Sequence, residues 1–407
     1  MNHVDTDEIR AEAERQLPGL VAIRRAIHRN PELGFGCART VETVLNALRP
    51  LPLEILWASG SDGIAAVLRG AGDGTSVLLR ADMDALPIQE PAGLDFASEL
   101  PGRMHACGHD IHTSMLVGAA QLLAARSDQL AGDVVFMFQP AEEVLQGSAR
   151  MIKKGILNAA GQQVDAAYAL HVLPSGLPSG SFTTRPGTCM SGSASLRVTL
   201  HGRGTHASTP YLGNDPIVAA CHLVVAYQTA ITRSFSLFDP ALLTVGSIHA
   251  GTASNIIPAT ATLDLTVRAP SEESFTQVRA LVDEVSRNIA AAMGVTADIE
   301  VMAEVCPLVN DHAEAALVEK VVTNLFGAER MIVMPTPRLS AEDFALVLRE
   351  IPGVFVFLGA HTGSGDYRSA PGNHSPEARY AENVIADGAA FLTTVALQRL
   401  ASPPTGG

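Results

Sequence analysis

Four runs in the first half of the chain have a near-continuously apolar core: GIAAVLRG at 63–70, SVLLRADMD at 76–84, DVVFMFQPAEE at 133–143 and AAYALHV at 166–172. A strand with one wet face alternates polar and apolar residues, so a strand with no polar face must be covered on both sides. Helical periodicity lies around and between these runs. It covers the first 28 residues up to the break at Pro31, the stretch from about Asp110 to Ala125, and GSARMIKKGIL at 147–157. Strands alternating with helices predict an α/β domain, a mostly parallel sheet sandwiched by helices.

The texture changes after about residue 185. SASLRVTLHGRG at 193–204 alternates, as a strand with one exposed face would, and NDPIVAACHLVVAYQTAI is an amphipathic helix with Pro216 in its first turn. Two further strands (TVGSIHAG and ATATLDLTVRAP), a helix across 274–294 and the strand ADIEVMAEV complete a β-α-β-β-α-β order. That order predicts a small ferredoxin-like α+β domain inserted into the larger one. The α/β pattern returns near His312 and closes with VFVFLGA and a final helix. The expected layout is a discontinuous main domain, 1–188 and 306–407, interrupted by an insert at 189–305. At 407 residues the chain is too long for one ordinary core, in keeping with two domains.

Composition narrows the function by exclusion. A net charge of −14 leaves no basic footprint for a nucleic-acid backbone. No window of 18 apolar residues predicts a membrane span, and MNHVDTDEIRAEAERQ lacks the apolar core of a signal peptide. The five cysteines (37, 107, 189, 221 and 306) form no CxxC pair, which predicts free thiols and a cytoplasmic setting. The only low-complexity stretch is the tail PPTGG. There is no GxSxG elbow, Walker A loop or HExxH helix.

What remains is a set of metal-type residues, each at the end of a predicted strand or in the loop after it, where sites assemble in open α/β sheets. They are Asp82 and Asp84, Cys107 and His109 in MHACGHDIHTSM, Glu142 and Glu143, His171, and His374 in GNHSPE. Taken singly, each has a plain explanation: a histidine hydrogen-bonded at a strand end, a cysteine packed as a small hydrophobe, a solvated glutamate pair. Their concentration at strand ends argues for more. Cys107 and His109 are two apart, so in an extended segment both side chains leave on one face. The adjacent carboxylates of Glu142 and Glu143 point in different directions, so one can bind a metal while its neighbour moves a proton.

Read together, these motifs resemble the dimetal aminoacylase/carboxypeptidase superfamily, and most closely its branch of hippurate hydrolases and indole-acetyl-amino-acid amidohydrolases. The likeness spans HRNPELGF, LLRADMDALPIQE, MHACGHDIHT, FQPAEE, GRGTHASTP, GTASNIIP, LSAEDFA and NHSPE in that order. It implies two divalent ions held by Cys107, His109, Glu143, His171 and His374, with Cys107 bridging them. It further implies Glu142 as general base to a metal-bridging water, and His206 as the group that reaches a partner subunit's site to stabilise the oxyanion. Asn255, Arg268 and Glu342 would face the substrate, although a strand-end arginine such as Arg268 equally often just tops a sheet. His105 and His112 are not ligands in this pattern, and Asp82, Asp84 and Asp110 would support the ligands.

The resemblance implies hydrolysis of an N-acyl-amino acid to a carboxylate and an amino acid, in a homodimer joined through the insert as lid. A dipeptidase or carboxypeptidase, or a dedicated deacetylase of an N-acetyl intermediate, would use the same ligands. A metal- or ligand-binding homologue without activity would lack a ligand or the base, and none is missing. Zinc or manganese suits the donor set first, with cobalt and nickel also compatible.

Overall fold

The computed structural model describes residues 5–72, 74–363 and 365–402; the PPTGG tail lies outside them. They form two compact units. The larger takes the chain up to Gly187, Val309–Pro335 and the part from Leu346, and the smaller takes Thr188–Leu308 and Thr336–Ala345.

The larger unit is built on an eight-stranded sheet, in the order Leu53–Ser59, Gly63–Leu68, Asp133–Gln139, Ser76–Asp82, Ala166–Leu173, Gly353–Gly359, Phe182–Thr184 and Met331–Val333. The four strands from Asp133–Gln139 to Gly353–Gly359 are contiguous and parallel. Antiparallel pairings are confined to the flanks. These four central strands are buried along almost their whole length, as their unbroken apolar runs require.

Helices Thr6–Arg29, His109–Ala124 and Val384–Leu400 close one face over Val77, Leu79, Phe136, Tyr168 and Val356. Each such side chain contributes about 1.5–3 kcal/mol on burial. The three helices approach closely where side chains are absent: a Cβ on Gly118 would lie 2.7 Å from Leu20, and one on Gly388 2.3 Å from the Met115 sulfur. Helix Ala38–Leu48 is not among the expected elements. Its run of Thr40, Val41, Thr43 and Val44 is β-branched and masks the helical spacing of buried Val41, Val44 and Leu48.

The smaller unit carries an antiparallel sheet in the order Leu242–Ala250, Thr260–Ala269, Gly192–His201, Thr296–Val305. Helices Pro216–Ser234 and Glu272–Ala292 pack on it through Leu223, Tyr227, Val278 and Val282. This is the expected ferredoxin-like order. Both helices start on side-chain caps, Asp215 accepting from the Ile217 amide and Ser271 from that of Ser274. Among the described residues no helix is long and apolar enough to cross a membrane.

Helix His109–Ala124 is entered through Gly108 at φ +83°, and a Cβ there would sit 2.4 Å from Val172 Cγ2. Glycine is thus required at this turn by backbone conformation and by space together. Gly108→Ala is expected to cost about 1–2 kcal/mol for the left-handed conformation alone, with the clash added. The urea midpoint would fall accordingly; an unchanged midpoint would show that the turn tolerates a side chain.

Candidate metal centre

The four contiguous parallel strands deliver their C-terminal ends to one crevice. Asp82 ends its strand, and Glu142 and Glu143 follow Gln139 by three and four residues. His171 lies near the end of Ala166–Leu173, and His374 comes from the loop after Gly353–Gly359. Helix His109–Ala124 brings Cys107 and His109 in from its N-terminal turn.

The donor atoms converge as several triads, among them Asp82–His109–His112 and His109–Glu142–Glu143, and two of the triads share Cys107. The donor atoms of Cys107, His109 and His171 lie within 4.8 Å of one another, and so do those of Cys107, Glu143 and His374. Cys107 is common to both, the placement a shared sulfur would need. The His171 Nδ1–H donates to the Val172 carbonyl at 2.9 Å, which leaves the Nε2 lone pair 3.4 Å from Cys107 Sγ. His374 Nε2 is 3.3 Å from Glu143 Oε2. Glu142 Oε2 is 3.9 Å from His109 Nε2.

The loop carrying the two glutamates is held by Asp84, whose carboxylate accepts the amides of Glu142 at 3.0 Å and Glu143 at 3.2 Å. Three non-glycine residues among those described have positive φ: Ala141 at 59°, Leu145 at 57° and His374 at 67°. All three bracket or belong to the crevice. Each costs of order 1 kcal/mol or more, so their coincidence here marks a built site.

Charge explains what the crevice is made to receive. Burial pushes the Cys107 thiol well above its usual range, and Glu143, Glu142 and Asp82 push it further. Burial pulls the His109 ring down, but Asp82, Asp84 and Glu143 outweigh it and raise it to about 10. The cluster thus draws in a proton to offset its own negative charge. Both ring nitrogens of His109 and Glu143 Oε1 are buried without a hydrogen-bond partner. Unpartnered buried imidazole and carboxylate atoms beside a buried thiol fit a divalent cation, which would supply the missing charge and coordination.

The other polar residues of the MHACGHDIHTSM motif have different work. Asp110 is paired with Arg24 Nε at 2.7 Å and accepts from His28 Nδ1 at 2.8 Å; His28 Nε2 in turn donates to Glu90 at 3.1 Å. Burial disfavours the Asp110 carboxylate, yet Arg24 and His28 hold it well below its usual range. Burial drives the His105 ring down to about 3, a neutral core histidine. Sequence reasoning did not single out Asn373, although it adjoins His374. Its Nδ2 donates toward Cys107 Sγ at 3.6 Å and to the Val172 carbonyl at 3.3 Å.

The remaining sequence-predicted residues lie in the smaller unit. His206 pairs across two short strands with Ile256, next to exposed Asn255, whose carbonyl accepts the Ala207 amide. Ser208 offers His206 Nδ1 its amide at 3.1 Å and its hydroxyl at 2.7 Å. Arg268 donates to the Leu339 carbonyl at 2.6 Å, and Glu342 is buried with its carboxylate on the Phe344 amide.

Residues 78–398 match the family model described as Peptidase family M20/M25/M40. The chain is 36% identical to an N-acetyl-L-cysteine deacetylase of Bacillus subtilis (strain 168), over 92% of this chain and 86% of that one. It is 35% identical to thermostable carboxypeptidase 2 of Saccharolobus solfataricus, over 84% of this chain and 85% of that one. The crystal structure of a dinuclear metal-binding peptidase of family M20 from Bacillus subtilis superposes with a TM-score of 0.81 at 29% identity, covering 95% of this chain and 99% of that one.

The electrostatics predict a proton count. With His109 and Cys107 as ligands, a divalent ion binding at pH 8 would displace a proton from each, an expected release of about two protons per chain. Affinity would weaken as pH falls, because protons then compete for both donors. Calorimetry in buffers of different ionisation enthalpy measures this; release of no protons would contradict the charge account.

Proposed function

The chain belongs to peptidase family M20/M25/M40, and from that premise we propose that it hydrolyses N-acyl-amino acids to a carboxylate and a free amino acid. It is a metal-dependent amide hydrolase. The observation that carries the finer reading is the pair of triads sharing Cys107, with Glu142 one residue from Glu143 at their edge. In this reading Cys107, His109, Glu143, His171 and His374 hold two divalent ions, zinc or manganese in the first instance and cobalt or nickel as alternatives. The dinuclear relative supports that count. When bound, such ions lower the pKa of water and polarise an amide carbonyl.

The chain's own residues then divide the proton work. Glu142, its amide fixed by Asp84, takes the proton of the attacking water. It returns that proton to the nitrogen of the departing amino acid as the tetrahedral carbon collapses. Burial disfavours the Glu143 carboxylate, but His374 and His109 hold it below its usual range. His206 contributes through Nε2–H, since Ser208 engages Nδ1, and it donates to the oxyanion in the site of a partner subunit. Asn255, Arg268 and Glu342 contact the remainder of the substrate.

The smaller unit, expected at 189–305, acts as lid and joins a homodimer; its edge strand Leu242–Ala250 exposes Leu242 and Ile248. All five cysteines are free, which suits a cytoplasmic enzyme.

The deacetylase relative supports an N-acyl substrate, and the carboxypeptidase relative keeps a peptide substrate as the second reading. A panel of hippurate, N-acetyl-amino acids and dipeptides separates them. The acylated amino acids are expected to be cleaved with the higher kcat/KM, and a preference for dipeptides would move the assignment to the second reading. Glu142→Gln should lower kcat by about 10²–10⁴ with metal content unchanged. Turnover at the wild-type rate would remove Glu142 from the chemistry.

A further inference from the structure

The crevice exists because two neighbouring strands separate. Ser76–Asp82 and Ala166–Leu173 are paired from Val77↔Ala166 to Arg80↔Ala169 and no further. Beyond that point Ala81 and Asp82 stay with Phe138 and Gln139 on one side. Leu170–Leu173 stay with Val356–Gly359 on the other. Each strand end therefore loses its ladder partners along the shared edge, in a place closed to water, where main-chain groups need replacements.

Two side chains of the adjoining helix supply them. His112 Nδ1–H donates to Asp82 Oδ1 at 2.6 Å, while its Nε2 accepts the Val172 amide at 2.8 Å. The Thr113 hydroxyl donates to the Asp82 carbonyl at 2.8 Å. An amide N–H cannot accept, so Val172 fixes which ring nitrogen of His112 carries the hydrogen. Both nitrogens are thereby used, and His112 has no lone pair left for a metal, although it shares a helix face with His109 and approaches it to 5.4 Å between ring centroids.

We infer that His112 is a positioning residue, a rigid spacer whose ring sets the width of the crevice between the two strand ends. On one side it holds Asp82, 3.7 Å from His109 Nε2. On the other it holds the His171–Val172 peptide, and with it the placement of His171 Nε2 against Cys107. Asp82 is itself fixed from behind by Arg80 at 2.6 Å, whose Nε donates to Gln139 at 2.9 Å. The spacer therefore bears on a backed anchor. The consequence for metal binding rests on the proposed ligand roles of Cys107, His109 and His171.

The test uses the full-length protein, stripped of metal and titrated with Co²⁺ against a chromophoric chelator, with the visible spectrum recorded. His112→Phe keeps the ring and loses both hydrogen bonds. It is expected to weaken Co²⁺ binding about 10–100-fold and to shift the sulfur-to-cobalt and d–d bands. His112→Asn, which retains a donor toward Asp82, and His112→Gln, which can retain an acceptor for the Val172 amide, should recover part of the affinity. They also serve if the Phe variant does not fold. Met115→Ala, a core change in the same helix, should lower the melting temperature and leave the cobalt spectrum unchanged.

Wild-type affinity and spectrum in His112→Phe and both amide variants would overturn the positioning role while leaving the metal centre intact. Loss of one ion per chain, with the other bound normally, would make His112 a ligand instead. A wild-type protein that takes up no cobalt would sink the metal reading itself, and the spacer role with it.

Discussion

Negative charge buried in a narrow space governs this structure. Asp82, Asp84, Glu142, Glu143 and the Cys107 thiol meet at the ends of four parallel strands, where desolvation alone would push their protons back on. Three of them are countered in different ways. Asp82 has Arg80 and His112, and Asp84 accepts two main-chain amides. Glu143 has His374, and His109 retains a proton to balance the rest. The arrangement leaves a deficit of positive charge and a surplus of electron pairs at one point. A cation of charge two answers both at once.

The architecture around this point follows from the same demand. Parallel strands place their C-terminal ends on one edge, so the proposed ligands, far apart in sequence from Cys107 to His374, are delivered to one place by the segments that follow those strands. The loops are strained where they must turn sharply: Ala141 and Leu145 around the glutamates, and His374 itself. Behind the crevice, the ion network of Arg24, His28, Glu90 and Asp110 ties helix Thr6–Arg29 to the first turn of helix His109–Ala124. The turn that carries Cys107 and His109 is thereby fixed from both sides.

Much of this was legible in the sequence. Unbroken apolar runs identified the central strands, alternation identified the ferredoxin-like insert, and the motif order identified the family. The residues proposed as ligands were readable because metal chemistry uses few side-chain types and strand ends are where they gather. The illegible parts depend on geometry that periodicity does not carry. Helix Ala38–Leu48 was hidden by β-branched residues. Positive φ at Ala141 and Leu145 has no glycine to announce it. The family resemblance already set His112 apart from the ligands despite its helical spacing from His109, but what its ring does instead is seen only in its hydrogen bonds to Asp82 and Val172. Asn373 stood beside a predicted ligand, and only the fold revealed its contact with Cys107.

The central claim is that one sulfur serves two ions. X-ray absorption at the zinc edge, on protein loaded with two equivalents of zinc, tests it without reference to substrate. The account predicts a sulfur neighbour at about 2.3 Å and a second zinc at about 3.5–4 Å, both lost in Cys107→Ser. A first shell of nitrogen and oxygen alone, or a sulfur contact with no zinc neighbour, would contradict it.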